Sequence, residues 1–397
     1  MVRSQAYLVL QFIQKIKSNI ILGYFKIVIK YDNPFVCYAK TMMKCRICKT
    51  DDATKKNSHQ LPSFLSVMVS SDGDYKRDKE LMFTFDKYRT EVYAHGLSST
   101  KWEETFDDLT EERLQQISIN PVSEDYVFCP HCEKMLAEFL ESPYSMFYKD
   151  CKNIDADIPL FFWISVAWRL SVQQKQGFSF GQELNDRLRS LLYRYLLCKE
   201  NKEDIANLVK EIGISYRMVR CKDFCRTNAG FIHCRYDEKN GFFSIIVGDL
   251  CVCMNFKGDS IPEHFSLYGL EKDIKNAAIN KGVEREKWID IPVKDYKDMI
   301  YGFVKHAART RMKGLFEIAE EMWKKCYMFG CMPIAKKIAF ADMVVSQETK
   351  IGDKYLPEIY IQAFKEVTSN PLISVSYTHL RAHETRRHLV CRLLLEK

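Results

Sequence analysis

The chain lacks the features that most readily identify a function. No run reaches the roughly 18 consecutive apolar residues expected of a membrane-crossing helix. No period of 20 to 50 residues recurs, and no glycine-rich phosphate loop or nucleophile–base set stands out. A basic excess is missing as well, although the formal net charge is +7. Residues 1–42 carry six Lys or Arg against one acid, Asp32, and 375–397 carry five against two, which leaves 43–374 at −1. Overall charge therefore gives no argument for nucleic acid, and a DNA contact would need a local patch or a bound cation.

Both ends read as foreign to the fold. Residues 375–397 resemble the translation of a sequencing-library adapter, and as an artefact they withdraw His379, His383, His388 and Cys391 from any metal argument. His383-Glu384-Thr385-Arg386-Arg387-His388 imitates a helical zinc-protease motif, but its second histidine is five residues on rather than four and falls off the helix face. Residues 1–42 read as an upstream extension, with Met42 or Met43 as the expected start. Lys15, Lys17, Lys26 and Lys30 interrupt the apolar stretches there and argue against a membrane segment.

Cysteine, by contrast, is plentiful at fifteen residues. With no secretory signal and two pairs at metal spacing, this usage fits a reducing cytoplasm better than a disulfide scaffold. The pairs are Cys45-x-x-Cys48 and Cys129-x-x-Cys132. Two residues between cysteines let both thiolates converge on one ion, and two such pairs complete a tetrahedron. The 80 residues between the pairs exceed the spacing of simple ribbons. Two doublings of loop length cost only roughly 1.2 kcal/mol, against about 10 kcal/mol or more from a structural zinc. The competing possibility is two unrelated pairs, one a redox dithiol or simply small buried side chains. A thioredoxin-like dithiol requires a βαβ setting that neither pair has.

Length and pattern predict an α+β protein. A small zinc-centred module with a long insertion is expected over 43–150, followed by a mixed helical and antiparallel-strand unit over 155–374. The first contains a strand near Leu81–Phe85, a helix after Thr110 and a helix opened by the second cysteine pair. In the second, Pro159–Leu170 is apolar almost all round and should be buried, and Gln182–Leu197 is amphipathic. Strands at Phe231–Tyr236, Phe242–Val247 and Leu250–Phe256 are joined by turns at Asn240-Gly241 and Gly248-Asp249. A long helix is expected from Asp298 to Met328. Arg169 reads as paired with a carboxylate rather than as a ligand clamp. Cys221, Cys225, Cys234, Cys251 and Cys253 read as core residues rather than a second metal site.

Cys45-x-x-Cys48, Ser58-His59-x-x-Pro62 and Cys129-x-x-Cys132-Glu133 resemble HNH-like proteins, over 43 to about 142. Trp168-Arg169-Leu170-Ser171 is also similar to the second part of a bacterial group with this ribbon. The resemblance implies a treble-clef ββα unit, a structural zinc on Cys45, Cys48, Cys129 and Cys132, His59 as general base and Pro62 behind it in the turn. Mg²⁺ or another divalent cation would serve the chemistry, with nucleic acid as substrate and a role in bacterial defence. Ser58 stands where many HNH enzymes have an acid or histidine. Glu133 stands nearest a helical Asn or His and could bind Mg²⁺ through oxygen. Asp78, Glu91, His95 and Asp125 are further candidate ligands, each also suited to a solvated surface. The alternative is a non-catalytic zinc module that binds nucleic acid or a protein partner, with His59 as a structural residue.

Overall fold

Stretches of period two and stretches of helical period both occur in this chain, and the computed structural model is accordingly α+β. It describes residues 26–29, 44–56, 58–59, 61–70, 80–85, 90–95, 110–118, 123–150, 153–173, 178–222, 224–225, 230–327 and 330–370. In chain order come β1 (Lys26–Ile29), β2 (Ser58–His59), α1 (Ser63–Ser70), β3 (Glu80–Phe85), β4 (Thr90–His95), α2 (Glu111–Ile117) and β5 (Ser123–Glu124). Helices α3 (Pro130–Leu136), α4 (Ser142–Asp150), α5 (Asp157–Gln173), α6 (Gly181–Leu197) and α7 (Lys202–Ile212) follow. Then come β6 (Ser215–Arg220), β7 (Gly230–Asp237), β8 (Phe242–Val247), β9 (Leu250–Asn255), α8 (Glu271–Asn276) and β10 (Ile289–Asp290). Helices α9 (Val293–Tyr327), α10 (Ile334–Ile351) and α11 (Leu356–Ser369) close the described chain.

Eight strands form one sheet in the order β10-β6-β9-β8-β7-β1-β3-β4. The run β6-β9-β8-β7 is antiparallel, as the short turns dictate. β1 lies parallel to both β7 and β3, so residues 26–29 of the N-terminal stretch join the two halves of the sheet. Every residue of β8 and β9 is buried, which places Cys251 and Cys253 in the core. The turn between them uses Gly248 at φ +56, where a β-carbon would also come within 2.6 Å of the Met68 side chain.

Capping and periodicity set the helices. The Thr110 hydroxyl accepts from the Arg113 N–H at 3.2 Å to start α2. Asn201 caps α7 in the same way. α5 is buried on nearly every side, and aromatic stacking fixes it: Phe162 on Tyr144 at 4.0 Å and Phe161 on Tyr195 at 3.8 Å between centroids. α9 begins at Val293, one and a half turns before the expected start, because Pro292 precedes a continuous helical run. One hydrophobic core runs from Cys45 through α5 and the sheet to Phe303 and so includes both cysteine pairs. A second, smaller core, Met312 to Val367, joins α9 to α10 and α11, beside the buried pair Arg311–Glu348 at 2.6 Å. Among the described residues no helix is long and apolar enough to cross a membrane.

A polar knot lies inside the larger core. The Glu286 carboxylate accepts from Tyr216 Oη at 2.6 Å, Tyr144 Oη at 3.0 Å and Trp163 Nε1 at 3.3 Å. Burial raises its carboxyl to about 7 despite these donors. Between its ordinary value and 7 the folded chain holds a proton that the unfolded chain has lost, so stability falls as pH rises through that window. The shift corresponds to about 3 kcal/mol at full ionisation. Thermal melts of wild type and Glu286→Gln at pH 5 and pH 8 should show wild type losing ground to the variant at pH 8. An equal gap at both pH values would contradict this account.

Candidate metal centre

Cys45 and Cys48 sit in a tight knuckle. Lys49 N–H closes it on Cys45 O at 2.9 Å, Cys45 N–H donates to Asp51 O at 2.7 Å, and Lys49 takes the left-handed conformation at φ 61. The second pair is placed by a helix start. Cys129 is the N-cap of α3, its sulfur accepts from Cys132 N–H at 3.4 Å, and Pro130 occupies the first turn, where no N–H is needed. Backbone bonds run directly between the two parts: Arg46 N–H to Val127 O at 3.1 Å, Tyr126 N–H to Lys55 O at 2.7 Å and Lys55 N–H to Phe128 O at 3.3 Å. β2 and β5 pair antiparallel between them, Ser58 opposite Glu124 and His59 opposite Ser123.

The four sulfurs consequently meet. All lie within 4.8 Å of one another, and Cys48 Sγ is 4.0 Å from Cys129 Sγ. A tetrahedron with metal–sulfur bonds of about 2.3 Å has edges of about 3.8 Å, so the donor set fits a single four-coordinate ion. Cys45, Cys129 and Cys132 are buried and Cys48 is partly exposed. Four such sulfurs cannot all carry charge side by side without a cation. The hydrogen bond with Cys132 draws Cys45 down to about 4, while it pushes Cys132 up, and burial pushes Cys129 to about 11. A metal ion entering this site therefore displaces protons from the thiols that hold them. Among the described residues no other group of three or more His, Cys, Asp or Glu is arranged to hold an ion. Cys221, Cys225, Cys234, Cys251 and Cys253 are buried core residues.

The knuckle is clamped to the helices behind it. Arg46 donates to the Val172 carbonyl of α5, Arg189 of α6 donates to Ile47 O at 3.2 Å, and Lys49 pairs with Asp186 at 3.0 Å. These arginines carry no motif that marks them in the sequence. Phe128, just before the second pair, stacks on Trp168 with centroids 6.0 Å apart.

The other candidate residues separate. His59 is placed by its backbone in β2, and its side chain lies outside the described residues, as do the side chains of Glu91 and His95 in β4. Asp78 also lies outside the described residues, and Asp125 is exposed. Pro62 is buried immediately before α1. Ser58 is fully buried and donates to Glu133 Oε2 at 3.2 Å, with Glu133 in the first turn of α3. Burial raises the Glu133 carboxyl above the usual carboxylate range in spite of that bond. Glu133 also lines a pocket of about 310 Å³ with Lys55, Lys134, Glu141 and Arg169. Arg169 is buried and pairs with Glu141 at 2.7 Å, the carboxylate partner expected for it. Glu141 ends a π turn, Ala137–Glu141, that links α3 to α4.

Purified protein should contain one tightly bound transition-metal ion per chain, and Cys45→Ser should lose it together with much of the thermal stability. Metal analysis that finds the same content in both proteins would contradict the site. Neither protein-family models nor curated proteins nor solved structures yield a match to this chain.

Proposed function

We propose that Cys45, Cys48, Cys129 and Cys132 hold one structural zinc ion in a treble-clef arrangement. On that frame the protein is an HNH-like, metal-dependent nuclease with His59 as its general base. The observation that carries this reading is the order of parts around the sulfurs: a knuckle, the β2–β5 pair and a helix whose first turn supplies the second cysteine pair. β2 carries His59, and its neighbour Ser58 reaches Glu133 on that helix, so the ribbon ties together the strand with the imidazole and the helix with a carboxylate.

The residue types suit phosphodiester hydrolysis. Imidazole accepts a proton from water near neutral pH. A divalent cation would neutralise charge developing on the phosphodiester. Glu133 would ligate such an ion through oxygen, and a cation there would offset the burial that now favours its protonated form. Lys55 and Lys134, on the rim of the same pocket, offer charge to a phosphate backbone.

A specific observation favours a second reading, a zinc module that binds nucleic acid or protein without catalysis. Both pocket carboxylates already have internal partners, Glu133 with Ser58 and Glu141 with Arg169.

The full chain should be assayed on plasmid and single-stranded substrates with Mg²⁺, Mn²⁺ or Ni²⁺, beside His59→Ala. The nuclease reading expects cleavage that falls about 100-fold or more in the variant with zinc content unchanged. Equal cleavage by both proteins would reject His59 as base, and no cleavage with any cation would leave the binding module.

A further inference from the structure

The loop that precedes α8 is built around Glu271. Its carboxylate accepts from Ser266 Oγ at 2.9 Å and from the backbone N–H groups of Leu267 at 2.8 Å and Gly269 at 2.9 Å. The Ser266 hydroxyl oxygen accepts in turn from Tyr268 N–H at 3.3 Å. These bonds hold Tyr268 at φ 49, a left-handed conformation that an aromatic residue rarely adopts and that persists only where its surroundings impose it. The result is a ring laid on α9, T-shaped against Phe303 with centroids 4.7 Å apart and 6.4 Å from the ring of His306. Gly302 makes the seat, since a β-carbon there would lie 2.3 Å from Tyr268 Cγ. Tyr268 nonetheless keeps 36 % of its surface exposed.

Two arginines stand on the elements that meet beside this ring, since His233 of β7 and the Tyr268 ring both pack on Phe303 of α9. Arg235 lies on β7, two residues beyond His233, where the pairing with β1 ends, and Arg309 lies on α9 almost one turn past His306. They are the charges that act on both Tyr268 and His306. Among the described residues neither arginine has a carboxylate partner. Asp237, further along β7, is engaged by His264 at 2.8 Å and by Asn240 at 2.7 Å. Glu271 is taken up by its own loop.

An exposed ring held at its edge, near two cations that have no carboxylate partner among the described residues, matches the chemistry of an unpaired nucleotide, whose base stacks while its phosphates seek charge. A duplex hides its bases and offers no such face. We infer that this surface binds single-stranded nucleic acid, with a base against Tyr268 and neighbouring phosphates on Arg235 and Arg309. None of these residues belongs to the cysteine ribbon, so the site stands whether or not His59 is a base.

Anisotropy titration of the full chain with a labelled oligothymidylate of about 12 nucleotides tests the site. Tyr268→Leu should weaken binding about tenfold and Tyr268→Phe should restore it. The double variant Arg235→Gln, Arg309→Gln should also weaken it about tenfold and reduce the salt dependence of log affinity by roughly 1.4 units, as expected for two lost phosphates on a single strand. Wild-type protein that binds no oligonucleotide, wild-type affinity in Tyr268→Leu, or equal competition by a blunt duplex would overturn the inference. Should Tyr268→Leu fail to fold, Arg309→Gln on the exposed face of α9 carries the test, with a loss of about threefold or more expected and unchanged binding contradicting it.

Discussion

Four cysteine sulfurs that belong to two stretches 80 residues apart come within 4.8 Å of one another, and that convergence constrains everything around it. Three of the four are buried in the same core that contains α5 and the central strands. Like-charged thiolates at such distances repel, so the arrangement persists either by sharing protons or by enclosing a cation, and a tetrahedral donor set of this size suits a cation. A single ion there would do what a disulfide does elsewhere: it would close a long loop and leave the intervening chain free to contribute its own elements. β3, β4 and α2 all lie within that loop.

The knuckle is also bound to what lies behind it. Arg46, Arg189 and Lys49 fasten it to α5 and α6, and Phe128 stacks on Trp168 of α5. The pocket beside the sulfurs consequently draws its walls from both parts: Lys55, Glu133 and Lys134 from the cysteine-bearing segments, Arg169 from α5. A buried arginine satisfied by Glu141 stiffens that wall, and truncating either partner would leave a charge without compensation. In the proposed nuclease this joint would hold His59 and Glu133 at fixed separation. In the non-catalytic reading the same joint is simply what makes the ribbon rigid.

Much of this was legible in the residues, for identifiable reasons. Paired cysteines at metal spacing declare themselves, and their convergence holds although the gap between them is long. The apolar run through Pro159–Leu170, the Thr110 cap and the Asn240-Gly241 and Gly248-Asp249 turns are local signals, and each has its expected structure. Arg169 also found the carboxylate expected of a buried guanidinium. Long-range partnerships stayed hidden. Nothing near Glu286 indicates that two tyrosines and a tryptophan from three other elements will surround it. Parallel pairing of Lys26–Ile29 with both β3 and β7 leaves no trace in the composition of 1–42, which reads only as basic and apolar. The conformation of Tyr268 depends on Glu271 and on the absence of a side chain at Gly302, a conjunction that no short motif encodes.

The two proposals, a base on the ribbon and a stacking surface against α9, share a nucleic-acid substrate, and the sulfur cluster lies in the same core as both elements. X-ray absorption at the zinc edge, on full-length protein purified without added metal, probes that cluster directly. Four sulfur neighbours at about 2.3 Å should appear, with no nitrogen or oxygen in the first shell. A shell containing two sulfurs and lighter ligands, or protein that folds cooperatively with no metal at all, would contradict the shared site.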